Sequence, residues 1–440
     1  ENNSTETKTD KPIGGKAGFI IGCVIIYWLA LGIVWGCVSL PGAIDKMSQK
    51  SEIKNSKVVL YDGPKSLKDA TAADLSVVSE AERDMSLMHC TDTKVTVNGN
   101  DCYVYDTNVN NTHAWVGSRT PITYFDFEGT VEITVKAENI DIKSVTVRPL
   151  KYDIKPEINT KDHTVTFRVN TPDTYTVEFN NSTQRAVHIF ANELENPEDI
   201  PDAKDDDVFY IGPGEWNIEN MVLSDNQTLY ISGGAVVHGI ANANFAKNVT
   251  VCGRGIIDNS NLEGWKGRSA SVPLKFDNCQ DVTIDGIISL NSNAWCLQVY
   301  NTIGADINNV KILTARPNGD GMSIQSTKSA KITNSFVRAW DDALVVKNYD
   351  ENSANISFKN IQVWTDLAQS MEIGYETNKG QNEKSTITNV SFEDITILHN
   401  FHKPALSIHN ADDAAVSDIK YKNIVVEDAE MGRGDGTTDL

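Results

Sequence analysis

The chain has 440 residues, of which 60 are acidic and 39 basic, giving a formal net charge of −21 at neutral pH. This length leaves room for two or three domains. So large a negative charge excludes nucleic acid as an expected partner and opposes the electrostatic capture of an acidic polymer.

The first 40 residues divide into a polar tail and an apolar segment. Residues 1–16 are polar and predicted to be disordered. Residues 17–40 are uncharged and mostly apolar, which is long enough for a helix to span a bilayer. A cleaved signal peptide has a shorter apolar core. We therefore predict a transmembrane signal anchor at 17–40 with the rest of the chain outside the cytoplasm. The alternative is a long signal peptide whose cleavage would release a secreted protein.

Two further segments precede the repetitive part of the chain. Residues 41–93 are predicted to be a spacer with a possible helix. Residues 94–195 contain short segments that alternate apolar and polar residues, such as VEITVKA and TYTVEFN, and they predict an antiparallel β-sandwich. Cys90 and Cys102 are close enough in sequence to form a hairpin disulfide in an oxidising compartment.

A repeat of apolar and turn residues follows, mostly at intervals in the twenties. Its central apolar positions are Val251, Ile284, Ile307, Ile332, Phe358, Phe392 and Tyr421. A glycine, asparagine or aspartate lies two residues after each of them, and these residue types tolerate left-handed backbone and can form stacked amide ladders. Short strands at this spacing are typical of a solenoid, so we predict an all-β fold with a right-handed parallel β-helix at 208–440. A second sandwich would have shorter and less regular spacing.

A second row of strands sets the register of the acidic residues. Its first members are Leu297, Met322, Leu344, Met371 and Leu406. Two residues before Met322 and Leu344 stand Asp320 and Asp342. Because adjacent coils lie ~4.8 Å apart, these aspartates should stack, with Asp341 beside them. Carboxylates this close raise one another's pKa, as a general acid requires. Asp320, Asp341 and Asp342 are therefore the candidate catalytic residues.

Residues around this position are candidates for binding the substrate. Aromatic rings stack well on sugar rings, although core packing is an equally reasonable role for each. The candidates are Trp295, Asn318, Trp340, Lys347, Gln369, Glu372, Tyr375, His402 and Lys403. The spacing of Cys, His and Asp fits neither a zinc site nor a calcium loop, so we predict that no metal or other cofactor is required.

The segment NGDGMSIQSTKSAKITNSFVRAWDDALVVKN resembles the core of the inverting β-helix glycoside hydrolases, namely the polygalacturonases and the dextranase/isopullulanase family. The resemblance implies that Asp341 protonates the glycosidic oxygen while Asp320 and Asp342 activate the attacking water. Polygalacturonases have a histidine where Gln369 stands and an Arg-Ile-Lys segment for which the nearest basic pair is His402-Lys403. The dextranase/isopullulanase family lacks both features and places a β-sandwich before the helix, as is predicted for this chain.

The function expected from this resemblance is the hydrolysis of an α-linked polysaccharide or oligosaccharide by a monomer held at the membrane through its N-terminal helix. A polygalacturonase-type pectin hydrolase is the second enzyme hypothesis. A β-elimination lyase would need a basic cluster that the cleft residues do not provide. A non-catalytic glycan-binding or adhesin solenoid would not require three carboxylates in one register.

Overall fold

The described part of the chain is built almost entirely of β-strands. The structure, a computed structural model, describes residues 53–76, 84–109, 119–263, 271–378 and 385–430. The chain divides into two compact units, Glu1–Ser56 and Lys57–Leu440, and every described strand lies in the second. The predicted tail at 1–16 and membrane span at 17–40 fall outside the described residues. None of the described helices has both the length and the apolar character needed to cross a membrane.

The first strands of the second unit form two sheets around a shared apolar core. Within the described residues these strands are β1 (Lys57–Leu60), β2 (Met88–His89), β3 (Thr93–Val97), β4 (Asn100–Cys102), β5 (Tyr105–Asn108), β6 (Arg119–Glu128), β7 (Val131–Ala137), β8 (Val145–Arg148), β9 (Glu157–Asn159), β10 (Thr164–Val169), β11 (Asp173–Phe179) and β12 (Ser182–Glu193). One sheet has the order β2-β5-β6-β12-β11-β8, with β1 also paired to β6, and the other has the order β4-β3-β7-β10-β9. The strand β7 shows why these segments form a sandwich, since its residues alternate between buried and half-buried.

Three features of this sandwich differ from the sequence predictions. The pair β6 and β12 is parallel, so the first sheet is not purely antiparallel. Strands β1 and β2 pair with β6 and β5, so part of the predicted spacer 41–93 belongs to the sheet, and helix α1 within it spans Ala72–Ser76. The predicted disulfide is wrong, because Cys90 and Cys102 are free thiols. The Cys90 thiol instead donates to Asp92 Oδ1 at 3.2 Å.

The remaining strands form one continuous parallel sheet that winds through successive coils. They are β13 (Val208–Ile211), β14 (Gly214–Leu223), β15 (Thr228–Ile231), β16 (Ala235–Asn244), β17 (Lys247–Gly253), β18 (Ile256–Asp258), β19 (Leu274–Asp277), β20 (Gln280–Asp285), β21 (Ile288–Leu290), β22 (Leu297–Tyr300), β23 (Ile303–Asn308), β24 (Lys311–Leu313), β25 (Met322–Gln325), β26 (Lys328–Thr333), β27 (Phe336–Ala339), β28 (Leu344–Asn348), β29 (Ser353–Thr365), β30 (Met371–Thr377), β31 (Thr386–Asn400), β32 (Leu406–Ile408), β33 (Ala415–Lys422) and β34 (Val425–Val426). Strands pair in parallel with their equivalents on neighbouring coils, as a right-handed parallel β-helix requires.

The repeat read from the sequence is the stacking register of these coils. Ile307 pairs with Ile332, Ile332 with Phe358, and Phe358 with Phe392. These side chains point into the solenoid and belong to its apolar core. The rings of Phe358 and Phe392 stack with centroids 4.9 Å apart, and Tyr421 continues the stack at 5.2 Å. Burying an apolar column of this kind is the main stabilising contribution that each coil receives from its neighbours.

Asparagine side chains link the coils along the turns. The Asn334 side chain donates to Asn308 Oδ1 at 2.8 Å, and Asn360 donates to Asn334 Oδ1 at 2.8 Å. Asn334 has φ 53° and Asn360 has φ 54°, the left-handed conformation that asparagine tolerates better than most residues. The turn residue therefore satisfies a backbone requirement and a coil-to-coil hydrogen bond together.

A buried ion pair of the solenoid, between Arg338 and Asp366, contacts the sandwich through His188. Arg338 is bound by both carboxylate oxygens of Asp366, at 3.1 and 3.2 Å, and its guanidinium lies 4.1 Å from the Trp364 ring. From the sandwich, His188 Nε2 lies 3.0 Å from Arg338, while its Nδ1 lies 2.8 Å from the Thr176 hydroxyl. Trp364 is fully buried in this contact. The polar groups are paired across the contact, which limits the penalty of burying them.

The row of hydrogen-bonded side chains formed by Asn308, Asn334 and Asn360 is called the asparagine ladder below. It predicts a measurable difference between two substitutions at Asn334. Asn334→Ala should lower the free energy of unfolding more than Asn334→Gly does, by about 1 kcal/mol, because alanine resists the left-handed conformation and glycine does not. Both variants lose the same two amide hydrogen bonds. Chemical denaturation of the two proteins measures the difference. Equal stabilities would show that the backbone conformation contributes nothing at this turn.

Candidate active site

The coil register places the predicted aspartates together on one face of the solenoid. Met322 pairs with Leu344, and the Gly321 amide donates to the Asp342 carbonyl at 2.8 Å. Asp320 and Asp342 therefore occupy equivalent positions on adjacent coils. Both are buried, with 3% and 9% of their surface exposed, whereas Asp341 is half-buried. Of the three residues, Asp341 thus has the largest exposed fraction.

Backbone amides hold Asp341 in place. The Asn318 amide donates to its Oδ2 at 3.0 Å, and the Asp342 amide donates to its Oδ1 at 3.1 Å. Asn318 has φ 59°, which turns the segment before Asp320 so that its amide faces the next coil. Asn318, predicted as a substrate-binding residue, therefore positions Asp341 through its backbone.

Asp320 and Asp342 are held by different partners. Lys347 Nζ donates to Asp320 Oδ2 at 3.1 Å, and the Ser323 hydroxyl lies 3.4 Å from the same oxygen. The backbone amide of Gln369 donates to Asp342 Oδ1 at 3.0 Å, so the Asp342 carboxyl reaches toward the following coil. A cation beside Asp320 favours its ionised form.

The sequence reasoning missed one acidic residue of this cluster. Glu376 Oε2 lies 3.1 Å from Lys347 Nζ, so the amino group bridges Glu376 and Asp320. The strand register shifts at this point, because Asn348 pairs with Thr377 although Val346 pairs with Ile373. A fixed spacing cannot predict the position of a residue within such an irregularity. The available signal was Lys347 itself, a buried amino group with 5% of its surface exposed that needs more than one acceptor.

Burial and crowding raise the pKa values of all three aspartates, which favours their neutral, protonated forms. Burial raises the pKa of Asp320 to about 7 against the opposing charge of Lys347. Burial also raises the pKa of Asp341, although Lys347 and the two backbone donors oppose that rise. The pKa of Asp342 is raised well above its usual range by burial and by its two neighbouring aspartates. The cluster can therefore hold a proton near neutral pH, as acid–base catalysis requires.

The predicted substrate-binding residues take up different positions around the aspartates. Lys347 and Gln369 bind them directly, and the Trp295 ring lies 6.0 Å from Lys347 Nζ. Trp340 is largely buried, and its amide donates to the Thr314 hydroxyl at 3.0 Å. Tyr375 is 53% exposed and packs on His409 at 4.1 Å between ring centroids.

The last three candidates lie on the coils that follow the aspartates. Glu372 is fully buried on strand β30 and pairs in register with Val345. His402 and Lys403 are half-buried and lie one coil beyond Gln369, because Met371 pairs with Leu406.

The described residues contain one group with the spacing of a metal site, and it lies in the sandwich. Ligand atoms of Cys90, Asp92 and Asp106 are within 4.8 Å of one another. Arg185 already contacts this group, with its Nη1 2.8 Å from Asp106 Oδ2 and its Nη2 bonded to Asp92. A cation would therefore meet an existing positive charge. We assign no metal to this group.

Comparison with known proteins finds a family match within the solenoid. Residues 240–432 match the family model described as Glycosyl hydrolases family 28. This segment contains all three aspartates and makes up less than half of the chain.

Individual relatives are distant. An exopolygalacturonase from Arabidopsis thaliana is 24% identical over 157 residues, covering 35% of this chain and 36% of that protein. Exopolygalacturonase B from Aspergillus niger is 24% identical over 206 residues, covering 42% and 45%. The chain thus aligns with less than half the length of these curated relatives.

Two solved structures are also similar to this chain. Dex49A from Penicillium minioluteum has a TM-score of 0.49 at 12% identity, over 87% of this chain and 89% of that one. The family 28 exopolygalacturonase from Yersinia enterocolitica has a TM-score of 0.42 at 14% identity, over 70% and 85%.

The electrostatic role of Lys347 can be tested without a substrate. Lys347→Met removes the cation that opposes the raised pKa values of the aspartates, so those pKa values should rise further. When the pKa of a carboxyl is higher in the folded than in the unfolded protein, the free energy of unfolding decreases as the pH rises toward the folded pKa. The decrease is about 1.4 kcal/mol for each unit by which the pKa is raised. The melting temperature of Lys347→Met relative to the wild type should therefore fall progressively as the pH rises through and beyond the pKa of about 7 of Asp320.

Lys328→Met is the matched control for that experiment. Lys328 pairs with Glu351 at 3.5 Å, and both side chains are substantially exposed, at 42% and 52%. An exposed pair is screened by solvent, so the difference from wild type should not change with pH. If both variants gave pH-independent differences, the charge of Lys347 would not be coupled to the aspartates.

Proposed function

We propose that this protein is an inverting glycoside hydrolase that cleaves an α-linked polysaccharide. The observation that carries the proposal is the stacking of Asp320 and Asp342 on adjacent coils with the more exposed Asp341 beside them. Hydrolysis by single displacement needs one protonated carboxyl at the leaving oxygen and ionised carboxyl groups that activate water. The family 28 match over the same residues supports this reaction class.

We assign the role of general acid to Asp341. A general acid must reach the glycosidic oxygen of a bound chain, and Asp341 is the least buried of the three aspartates. Asp320 and Asp342 then act together on the attacking water. The amino group of Lys347, 3.1 Å from Asp320 Oδ2, supports this assignment because it favours the carboxylate form that a base requires.

We propose a neutral α-glucan as substrate, as in the dextranase/isopullulanase family. The described residues of the cluster comprise three aspartates, Glu372 and Glu376, whereas the Lys347 amino group is already engaged by two carboxylates. A uronate carboxylate would be repelled by this arrangement. The net charge of −21 acts in the same direction.

A polygalacturonase-type activity is the second candidate. It is favoured by the sequence relatives, which are exopolygalacturonases. In that case His402 and Lys403, one coil beyond Gln369, would be the basic groups available to a uronate.

We also propose that the protein acts outside the cytoplasm as a monomer. The apolar segment 17–40 supports an anchor in the membrane, or secretion if that segment is cleaved.

The two substrate hypotheses make opposite predictions about rate. The value of kcat/KM on a neutral α-glucan such as dextran or pullulan should exceed that on polygalacturonate by about tenfold or more, which corresponds to about 1.4 kcal/mol of repulsion. Release of reducing ends from each polymer measures the ratio. The Asp341→Asn variant should lose both activities, which shows that one site performs them. Faster cleavage of polygalacturonate would favour the second candidate.

The roles of the three aspartates can be separated with activated substrates. Asp341→Asn should lower kcat on natural glycosides by about 10²–10⁴-fold, because proton donation to the leaving group is lost. The loss should be much smaller on a glycosyl fluoride, whose leaving group needs no proton. Asp320→Asn and Asp342→Asn should show no such recovery, because the water must still be activated.

The stereochemistry of the product provides a second check on this mechanism. A single attack by water inverts the anomeric centre, and time-resolved NMR of the first product reports its configuration. Retention of configuration, or equal recovery of all three variants on the fluoride, would contradict the mechanism.

A further inference from the structure

Phe245 is an aromatic residue at a turn position where the next three coils carry small polar residues. Its backbone amide donates to the Asp277 carbonyl on the following coil at 3.1 Å. The backbone amides of Asn278, Asn301 and Ser326 make the equivalent bond, each to the coil that follows it. These residues therefore occupy one turn position on four successive coils.

The backbone at this turn position is left-handed in all four coils. The angle φ is 57° at Phe245, 54° at Asn278, 47° at Asn301 and 47° at Ser326. Asparagine tolerates this conformation, whereas a bulky aromatic residue adopts it only at a cost in free energy. The Phe245 side chain is also 76% exposed, more than any other large hydrophobic residue that the structure describes. Strain combined with an exposed apolar side chain is typical of a binding surface.

A hollow of about 400 Å³ lies beside the Phe245 ring, and we call it the turn groove. Its floor consists of the buried residues Ala246, Cys279 and Thr302, and one wall is the row of turn residues from Phe245 to Ser326. The other wall consists of the first residues of strands β17, β20, β23 and β26, which pair in register and are Lys247, Gln280, Ile303 and Lys328. The turn groove therefore follows the solenoid axis over four coils, or roughly 14 Å.

The walls of the turn groove combine apolar surface with amide groups. Ile303 is 58% exposed and lies two coils beyond Phe245, so apolar surface occurs at two points about 10 Å apart. Between them, Asn278 Nδ2 donates to Asn244 Oδ1 at 3.1 Å, and Asn301 Nδ2 donates to Asn278 Oδ1 at 2.7 Å. Each side-chain amide has two N–H donors, and these bonds use one of them. Apolar faces next to amide donors suit a sugar ring with its hydroxyl groups.

The charges along the turn groove are balanced. Lys328 Nζ lies 3.5 Å from a Glu351 carboxylate oxygen, and the backbone amide of Lys247 donates to Asp225 Oδ1 at 2.9 Å. The Gln280 side chain donates to Asp281 Oδ2 at 3.3 Å, which places a further carboxylate beside the same wall. A strongly charged ligand of either sign would therefore gain little net attraction, and a neutral ligand is favoured.

The turn groove and the aspartates lie at opposite ends of the same strands. Asp320 stands two residues before strand β25, and Ser326 directly follows the last residue of that strand. Six residues of extended chain span at most about 20 Å, so one polymer can reach both places. A second contact with a polymer raises its effective concentration at the first contact, without any new contact there.

We propose that the turn groove is a second binding site for a neutral polysaccharide. The Phe245 ring stacks on a sugar ring, and the side-chain amides of Asn278 and Asn301 bind hydroxyl groups. The groove holds one stretch of the polymer while another stretch lies at the aspartates. The choice of polymer rests on the proposed function, whereas the exposed ring and the groove are observed independently of it.

Phe245→Asn tests this site with the residue that the next two coils already carry at the same position. The variant loses the ring and relieves the left-handed strain, so its melting temperature should equal or exceed that of the wild type. Its retention in electrophoresis gels that contain dextran or pullulan should weaken by about tenfold. An Asp341→Asn background keeps the polymer intact during this measurement. Phe245→Trp keeps an aromatic face and should keep the retention.

Tyr210→Asn is the control for the loss of an exposed ring elsewhere. Tyr210 is 41% exposed on the first coil, outside the turn groove, and stacks on Tyr230 at 4.9 Å between ring centroids. Its loss should leave the retention unchanged, and equal weakening in this control would contradict a specific site. Ile303→Thr leaves the turn intact and removes the second apolar surface, so it should weaken the retention by a smaller factor even if Phe245→Asn is unstable.

Activity separates this inference from the proposed function. Phe245→Asn alone should raise KM for the polymer while kcat stays unchanged, and kcat/KM for a trisaccharide of the same linkage should not change, because a short substrate occupies only the aspartate site. Hydrolysis with unchanged KM and unchanged retention would overturn the inference and leave the proposed function intact. If no glycan were cleaved but retention by a neutral glucan still depended on Phe245, the proposed function would fail and the binding site would stand. No retention by either glucan, or retention by polygalacturonate alone, would also overturn the inference.

Discussion

The vertical register between coils is the constraint on which the rest of this structure depends. Parallel pairing fixes each residue opposite its equivalent on the next coil, and the Gly321 amide bonded to the Asp342 carbonyl is one step of that ladder. The same register stacks the rings of Phe358 and Phe392 inside the solenoid and the amides of its turns outside it. A shift by one residue would turn the core outward and disperse the carboxyl groups.

The acidic cluster depends on burial as much as on proximity. Aspartates on a solvated surface at the same spacing would ionise independently at low pH, since water screens their repulsion. Here Asp320 and Asp342 are almost entirely buried, so ionising them is unfavourable. The charge of Lys347 offsets only part of this free-energy penalty. The site therefore combines acids that favour the protonated form with one cation that favours the ionised form at Asp320. Acid–base chemistry requires both forms to be present together.

Sequence reasoning succeeded where structure follows a strict period and failed where it does not. The rows through Ile332 and Leu344 could be predicted because inward positions must be apolar and turn positions must tolerate left-handed backbone. Glu376 could not, because the register slips between Ile373 and Thr377. The parallel pairing of β6 with β12 also escaped prediction, since it joins strands that are distant in sequence and no local pattern records such a contact. The segment 57–60 was missed for the same reason.

The asparagine ladder and the aspartate cluster lie on different parts of each coil, and this separation has a consequence for how the protein can change. In a solenoid each coil interacts almost entirely with its two neighbours, so stability accumulates one interface at a time. Residues such as Asn334 and Phe358 secure those interfaces, whereas Gln369 and Trp295 lie beside the aspartates and Lys347. The ligand-facing residues of a single coil can therefore be exchanged without loosening the stack. Such a scaffold can acquire a new specificity one coil at a time while its folding remains unaffected.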